Sequence, residues 1–263
     1  MMRAMGSAAS GMKAMQMQID TISNNLANVN TTGFKKSSMQ FQDLLYEQVV
    51  PGGGLQGNGM VAPSRVEVGH GVKMVSTSKD FGVGTVVSTS NPLDLLIEGD
   101  GFFQLRLPDG NLAYTRDGSF KMDGERNIVT AMGYRLEPAI QIPADATEVA
   151  IARDGTVSVR LSGDSATVQE IGTMEIVRFP NPAGLISRGS NMFLESPASG
   201  TPLTGTPGLD GLGEVSSGYL ELSNVETVDE LVRMITAQRA YELNSKTISM
   251  ADQMMQTANN VKR

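Results

Sequence analysis

The sequence contains no cysteine, no tryptophan and only one histidine, His70. Without cysteine the fold cannot use disulfide bonds or thiolate metal sites. A single histidine with no nucleophile-elbow motif gives no convincing Ser-His-Asp triad, and a multi-histidine metal site cannot be built at all. We therefore expect no enzymatic activity, no catalytic residue, no cofactor and no metal site.

Basic runs and long apolar runs are also absent. The formal net charge is −7 and no basic run exceeds Lys35-Lys36, so the basic stripe needed to neutralise phosphates is missing and nucleic acid is not an expected partner. The longest apolar runs, such as residues 93–97, fall far short of the roughly 20 residues of a membrane helix, so direct membrane insertion is not expected. Residues 1–18 interleave Gly, Ser, Gln and Lys with apolar residues, so a cleavable signal peptide is not expected either.

Turn-forming residues are plentiful in the middle of the chain, which carries most of the 29 glycines and 11 prolines. The Asp-Gly dipeptides at positions 109, 117, 123 and 154 are typical of tight hairpin turns. Short apolar or alternating segments lie between them, and we predict strands at residues 93–97, 102–107, 111–115, 128–134, 148–152, 157–161 and 174–179. These features predict an antiparallel β-rich central domain.

Both chain ends carry the spacing of a helix. Apolar residues near the N-terminus recur three and four positions apart from Met5 to Val29, which is a heptad seam, and Gly33 marks the exit. Near the C-terminus, one apolar stripe runs from Val228 to Ile235 and a second from Ala240 to Val261. We predict that the two helices pair as a coiled coil and that neighbouring subunits cover their remaining apolar surface. The alternative is that both stripes cover the middle of the same molecule.

The candidate site residues fall in three sets. The subunit-packing candidates on the terminal helices are Met12, Met15, Ile19, Ile22, Leu26, Val228, Ile235, Leu243, Met250 and Met254. The candidates for shaping the helix exit are Asn24, Asn25, Asn28, Gly33 and Phe34. The amides of the three asparagines would bond either to turn backbone or to a neighbouring subunit. The inter-subunit loop candidates are Pro51, Gly52, Gly53, Gly54, Leu55 and Gln56; this glycine run does not open a helix, which argues against a dinucleotide site.

The predicted fold class is α+β with a nested domain order. We expect residues 1–35 and 225–263 to form a terminal helical coiled-coil domain, and residues 36–85 and 203–224 to form a discontinuous intermediate region of extended and β structure. Residues 86–202 would form the β-rich outer domain. Glycine-rich and proline-rich stretches at residues 51–59 and 200–213 mark the connections.

Residues 23–35, Ser-Asn-Asn-Leu-Ala-Asn-Val-Asn-Thr-Thr-Gly-Phe-Lys, resemble the N-terminal signature of the bacterial flagellar rod and hook proteins. Residues 218–225 and 234–246 resemble the C-terminal element of the same family. Residues 41–46, 99–103, 114–120 and 206–211 are most similar to its distal rod members, and the proximal rod paralogues are the alternative.

The resemblance implies a structural subunit of a self-assembling hollow helical drive shaft that transmits torque from motor to hook. Its implied partners are further copies of itself, proximal rod proteins, the hook protein, the peptidoglycan-layer and outer-membrane ring proteins, and the flagellar export apparatus. Its implied location is the periplasm-spanning rod of the basal body. A glycan-binding β module is a less favoured alternative, for which Phe102, Phe103 and Tyr114 are the aromatic candidates.

Overall fold

The computed structural model describes residues 2–50, 65–161 and 168–261. Helix α1 (Met2–Ala27) and helix α2 (Thr227–Val261) lie at the two ends of the described chain, and short strands occupy the region between them. The predicted α+β class, with terminal helices flanking an antiparallel β-rich centre, is confirmed. Contacts divide the chain into two compact units, each of which is discontinuous in sequence.

The first unit consists of the described parts of Met1–Leu26, Ser37–Ser78 and Glu226–Arg263. Besides the two helices it holds four strands in two ribbons: β1 (Ser37–Asp43), β2 (Tyr46–Val50), β3 (Val66–Gly69) and β4 (Val72–Lys79). Strand β1 pairs with β4, and β2 pairs antiparallel with β3 in a register that sets Tyr46 opposite Gly69. The helices of this unit therefore pack with narrow two-stranded ribbons and not with a wide sheet.

The second unit consists of Ala27–Lys36 and the described part of Lys79–Val225. Its strands are β5 (Val86–Ser88), β6 (Leu95–Glu98), β7 (Phe102–Arg106), β8 (Leu112–Thr115), β9 (Lys121–Met122), β10 (Ile128–Val129), β11 (Arg135–Glu137), β12 (Ala146–Ile151), β13 (Thr156–Leu161), β14 (Val168–Thr173), β15 (Ile176–Arg178), β16 (Ile186–Gly189), β17 (Met192–Leu194), β18 (Leu203–Gly205), β19 (Glu214–Ser217) and β20 (Tyr219–Glu221). The largest sheet has the order β16-β17-β8-β7-β11-β10-β9, and β15 joins it by pairing with β7 and β18.

Of the Asp-Gly dipeptides at 109, 117, 123 and 154, three close hairpins as predicted, between β7 and β8, between β9 and β10, and between β12 and β13. Asp117-Gly118 does not, because β8 pairs with β7 and β17 instead of with the strand that follows it. The predicted strand at 128–134 is also too long: Thr130 N–H donates to the Tyr134 carbonyl, and Gly133, at φ +84°, completes a turn into β11.

The core of the second unit is apolar and lies between its sheets. Its most enclosed side chains include Phe103, Leu136, Val157, Met174 and Ile176, all with no exposed surface. A second cluster is aromatic and contains Phe102, Tyr114, Phe179 and Phe193 in edge-to-face contacts. The three aromatic residues on which a glycan-binding surface would depend are therefore core residues, at 2%, 0% and 1% exposure for Phe102, Phe103 and Tyr114.

A buried ionic cluster in the second unit joins three distant parts of the sequence. Lys35 Nζ lies 2.5 Å from Glu221 Oε1 and 2.8 Å from the Gly82 carbonyl, and both charged side chains are almost fully enclosed, at 0% and 1% exposure. The Gly84 N–H also donates to Glu221 Oε1, at 2.8 Å. Lys35 follows helix α1 and Glu221 precedes helix α2, so this pair fixes both ends of the unit together.

Arg116, the first residue after strand β8, completes the cluster. Its guanidinium donates to the Ile97 and Gly99 carbonyls, at 3.2 and 2.6 Å, and its Nη1 lies 4.0 Å from Glu221 Oε2. Burial lowers the pKa of both Lys35 and Arg116, and the Glu221 carboxylate opposes that shift in each case. One carboxylate therefore compensates two buried cations, which makes Glu221 the member whose loss matters most.

We expect Glu221→Gln to lower the free energy of unfolding by about 3 to 5 kcal/mol, because it removes from two buried cations the carboxylate that interacts with each most strongly. Urea unfolding of the full chain measures this. Glu148→Gln is the matched control, because Glu148 pairs with Arg160 at 2.7 Å but on the surface, where such a pair is worth about 0 to 1 kcal/mol. Equal unfolding midpoints for the two variants would show that the buried cluster does not stabilise the fold.

Candidate assembly surface on the terminal helices

Helices α1 and α2 pair in opposite directions within the first unit. Asn25 Nδ2 donates to Glu230 Oε2 at 3.1 Å, so the end of α1 meets the start of α2. At the other side, a β-carbon added to Gly11 would lie 3.0 Å from Asn244 Nδ2. Because position 25 meets 230 and position 11 meets 244, the two chain directions are antiparallel.

The contact face of α2, here called the inner seam, consists of its buried and half-buried positions. These positions are three or four residues apart, and they are Glu230, Met234, Ala237, Ala240, Asn244, Ile248, Ala251 and Met255. Its most enclosed apolar members are small: Ala237 and Ala251 are 2% and 3% exposed, and Ala8 and Ala14 are the corresponding buried alanines of α1. Small side chains bury little apolar area.

The subunit-packing candidates on α1 lie mostly on a partly covered face. Ile22 is buried, and Met12, Met15, Ile19 and Leu26 are half-buried. These residues are covered in part by the rest of the first unit, where α1 also contacts strand residues; Ser10 Oγ, for example, accepts from the Val72 N–H at 3.3 Å. Their role in packing between subunits stays a prediction.

The candidates on α2 lie on the opposite side from the inner seam. Val228, Ile235, Leu243, Met250 and Met254 are 67%, 52%, 67%, 46% and 53% exposed, and Leu231 and Val232 extend the same surface at 42% and 57%. We call these seven residues the exposed stripe. At about 100° per residue, Val228, Ile235 and Leu243 are rotated roughly 120 to 180° from Ala237 around the helix axis. Helix α2 therefore has two apolar faces, of which one is covered within the chain.

Asn25 connects three segments of the first unit through its amide. Its Oδ1 accepts from the Ser37 N–H at 2.9 Å, and its Nδ2 donates to the Ser37 carbonyl at 2.9 Å as well as to Glu230. Asn25 and Glu230 are 1% and 2% exposed. One side chain thus joins the end of α1, the start of β1 and the first turn of α2, which explains why an amide stands in a helical seam.

The remaining exit candidates serve the turn that follows α1. Asn28 accepts from the Thr31 N–H through its carbonyl, at 3.1 Å, and from the Thr31 hydroxyl through Oδ1, at 3.2 Å. Gly33 has φ +66°, and a β-carbon there would lie 2.5 Å from the Asp117 nitrogen, so no other residue fits without displacement. Phe34 is buried beneath the Lys79 ammonium, 5.2 Å from its ring centre. Asn24 lies on the exposed side of α1.

The loop candidates Pro51, Gly52, Gly53, Gly54, Leu55 and Gln56 lie outside the described residues, and their role stays a prediction. The adjoining ribbon is described, and it is apolar on its surface: Leu45, Tyr46, Val49 and Val66 are 88%, 54%, 53% and 53% exposed.

Sequence reasoning identified the exposed stripe but missed the inner seam. The seam mixes alanines, an asparagine and a glutamate with Met234, Ile248 and Met255, so it stands out less by hydrophobicity than the exposed stripe does. Its signal is the recurrence of small or amide residues at heptad spacing. The same reasoning missed the ionic cluster. Lys35 stands beside Lys36 and Arg116 beside Asp117, so nothing in the local sequence marks these charges, or that of Glu221, as buried.

Within the described parts of the chain, no helix has the length and apolar character that crossing a membrane requires. Those parts also contain no group of three or more His, Asp or Glu residues arranged to hold a metal ion. His70 is exposed on the surface, and its Nε2 lies 3.6 Å from the Glu47 carboxylate.

We expect Asn25→Asp to destabilise the first unit by about 1 to 3 kcal/mol, because it removes both amide donors and sets a second buried carboxylate beside Glu230. Faster amide hydrogen exchange in α1 and β1 would report the loss. Gln16→Glu adds the same charge on the exposed side of α1 and should change stability by less than about 0.5 kcal/mol. Unchanged exchange in Asn25→Asp would contradict the connecting role.

Three family models match the chain, in the same order as its parts. Residues 5–35 match the flagella basal body rod protein family, residues 96–159 match the flagellar hook protein FlgE/F/G D1 domain, and residues 216–261 match the flagellar basal body rod FlgEFG protein C-terminal domain. The first and third matches include both terminal helices and the exit signature.

Full-length relatives agree with these matches. The chain is 48% identical to the flagellar basal-body rod protein FlgG of Borreliella burgdorferi, over all of both chains. It is 44% identical to FlgG of Caulobacter vibrioides, over 99% of this chain and all of that protein, and 40% identical to FlgG of Bacillus subtilis over all of both chains. The predicted resemblance is confirmed: the chain belongs to the FlgG family of flagellar basal-body rod proteins.

Proposed function

We propose that this protein is a structural subunit of the distal rod of the bacterial flagellum, where many copies assemble into a hollow helical drive shaft. It transmits torque from the motor to the hook through contacts between subunits and carries out no catalysis. Its partners are further copies of itself, the proximal rod proteins, the hook protein, the ring proteins of the peptidoglycan layer and outer membrane, and the export apparatus that delivers it. A proximal rod position is the alternative.

The exposed stripe of α2 is the observation that supports this proposal best. Seven large apolar side chains face away from the helix's own partner, while the most enclosed apolar side chains inside the chain, Ala237 and Ala251, are small. An amphipathic helix normally turns its large apolar side chains inward. The reversed arrangement on α2 is typical of a helix whose second apolar face is covered by another molecule.

The energetics favour several neighbours for each subunit. Covering the exposed part of one such side chain is worth on the order of 1 kcal/mol. Association itself costs roughly 4 to 15 kcal/mol of lost freedom. The seven residues of one stripe together gain about 7 kcal/mol, which lies within the range of that cost. A helical polymer, in which each copy contacts several others, covers further surface that a single pairwise contact leaves exposed.

Deleting the gene should leave flagellar basal bodies with a short rod that lacks its distal part and carries no hook. Electron microscopy of isolated basal bodies measures this. Complete loss of the rod would support the proximal alternative, and an intact rod and hook would contradict any role of this protein in the rod.

Leu243→Glu should block polymer formation by the purified chain while leaving its monomer fold intact, because it sets a charge in the centre of the exposed stripe. Sedimentation and electron microscopy report the polymer, and circular dichroism reports the fold. Ser245→Glu is the matched control, since Ser245 lies on the same helix and is also exposed, but outside the stripe. Normal polymers from Leu243→Glu would exclude this part of the stripe from the contact.

A further inference from the structure

Two methionines form the C-terminal half of the exposed stripe. Met250 and Met254 are 46% and 53% exposed and lie one helical turn apart, so their thioethers share one patch of surface. Leu243, at 67% exposure, lies on the same stripe two turns earlier. The patch depends on apolar side chains, and two of them can be chemically converted to polar ones.

Oxidants that react with sulfur have only methionine to attack in this protein. The sequence has 17 methionines and no cysteine. Hydrogen peroxide transfers one oxygen atom to a thioether, which gives methionine sulfoxide and releases water; the sulfur is oxidised and the peroxide is reduced. The product is polar and chiral, and methionine sulfoxide reductases, one for each sulfoxide epimer, convert it back to the thioether and water with two electrons from a thiol reductant.

We propose that Met250 and Met254 are a reversible oxidation site that controls whether the exposed stripe packs against a second copy of the chain. This inference rests on the proposed function. In the free chain both thioethers are open to solvent, so peroxide reaches them. Their sulfoxides set polar oxygens where a neighbouring apolar surface must dock, and burying such an oxygen without a hydrogen-bond donor is unfavourable. In the polymer the neighbouring copy covers both sulfur atoms and protects them.

Other methionines of the chain provide internal comparisons. Met174 and Met192, at 0% and 6% exposure, are in the core of the second unit and should resist oxidation in the folded chain. Met132 is 66% exposed in a turn between β10 and β11, outside the stripe. It should be oxidised readily in both free chain and polymer, with no effect on assembly.

The experiment treats the purified full-length monomer with hydrogen peroxide, locates sulfoxides by mass spectrometry and measures the critical concentration for polymer formation. We expect the critical concentration to rise by roughly tenfold or more, the factor that corresponds to about 1.4 kcal/mol. Reduction by methionine sulfoxide reductase should restore it. An unchanged critical concentration with both residues fully oxidised would overturn the inference while leaving the proposed function in place.

The variant Met250→Leu/Met254→Leu keeps the patch apolar but removes both thioethers. It should polymerise like the unmodified chain and keep doing so after peroxide, whereas Met132→Leu should remain sensitive. Equal peroxide sensitivity of the double variant and the unmodified chain would assign the effect to other methionines and refute the site. Failure of the untreated, unmodified chain to polymerise under any condition would contradict the proposed function itself, and the inference with it.

Protection in the polymer gives a second readout that needs no variant. Preformed polymers should show oxidation of Met250 and Met254 roughly tenfold slower than monomers do, with the rate at Met132 unchanged. Equal rates at Met250 and Met254 in the two states would show that no neighbour covers them.

Discussion

The contact between Lys35 and Glu221 is the constraint on which the second unit depends. The two residues are 186 positions apart, and each stands a few residues from a terminal helix, so their pairing holds both ends of the unit together. A buried ion pair is poor evidence for stability by itself, because desolvation offsets most of its attraction. Its value here is specificity: an apolar contact tolerates slippage, whereas a carboxylate that must accept from Lys35 and from the Gly84 N–H admits one register. Gly33, whose N–H donates to the Glu221 carbonyl at 2.8 Å, fixes the same register through the backbone.

The terminal helices differ from the second unit, because the most enclosed apolar side chains of α2, Ala237 and Ala251, are small, whereas its most exposed ones are large. Within the chain, the contact between α1 and α2 is specified by polar groups, chiefly Asn25 and Glu230, and is filled by alanines. Such a contact fixes direction and register but buries little apolar surface. The larger share of the apolar surface of α2 remains available to other molecules. The residues that hold the two helices together are thus different from those of the exposed stripe, on which the proposed contact between copies depends.

Much of this fold follows from the sequence, and the failures have physical causes. Both helices and three Asp-Gly hairpins were predictable, because helical spacing and turn chemistry act over a few residues. The strand predicted at 128–134 failed because Gly133 and Thr130 form a turn that an apolar pattern does not reveal. The exposed stripe was visible as hydrophobicity, but the seam at Ala237 and Ala251 was not. The ionic cluster could not be predicted from the sequence, because nothing near Lys35, Arg116 or Glu221 indicates a partner that lies many tens of residues away.

The polar residues at the end of α1 and in the turn after it also fix the register of the chain and bury little apolar surface. Between Ala27 and Ser37 the chain must end a helix, reverse its direction and begin a strand, and a run of apolar residues would specify none of these turns. Asn25 ends the helix by holding the Ser37 backbone, Asn28 closes the turn onto Thr31, and Gly33 takes the left-handed conformation that the close approach to Asp117 requires. Each of these residues bonds to the backbone or adopts a particular backbone conformation, and none of them is there to bury apolar surface. The structure therefore explains how a stretch with so few apolar residues can be so specific.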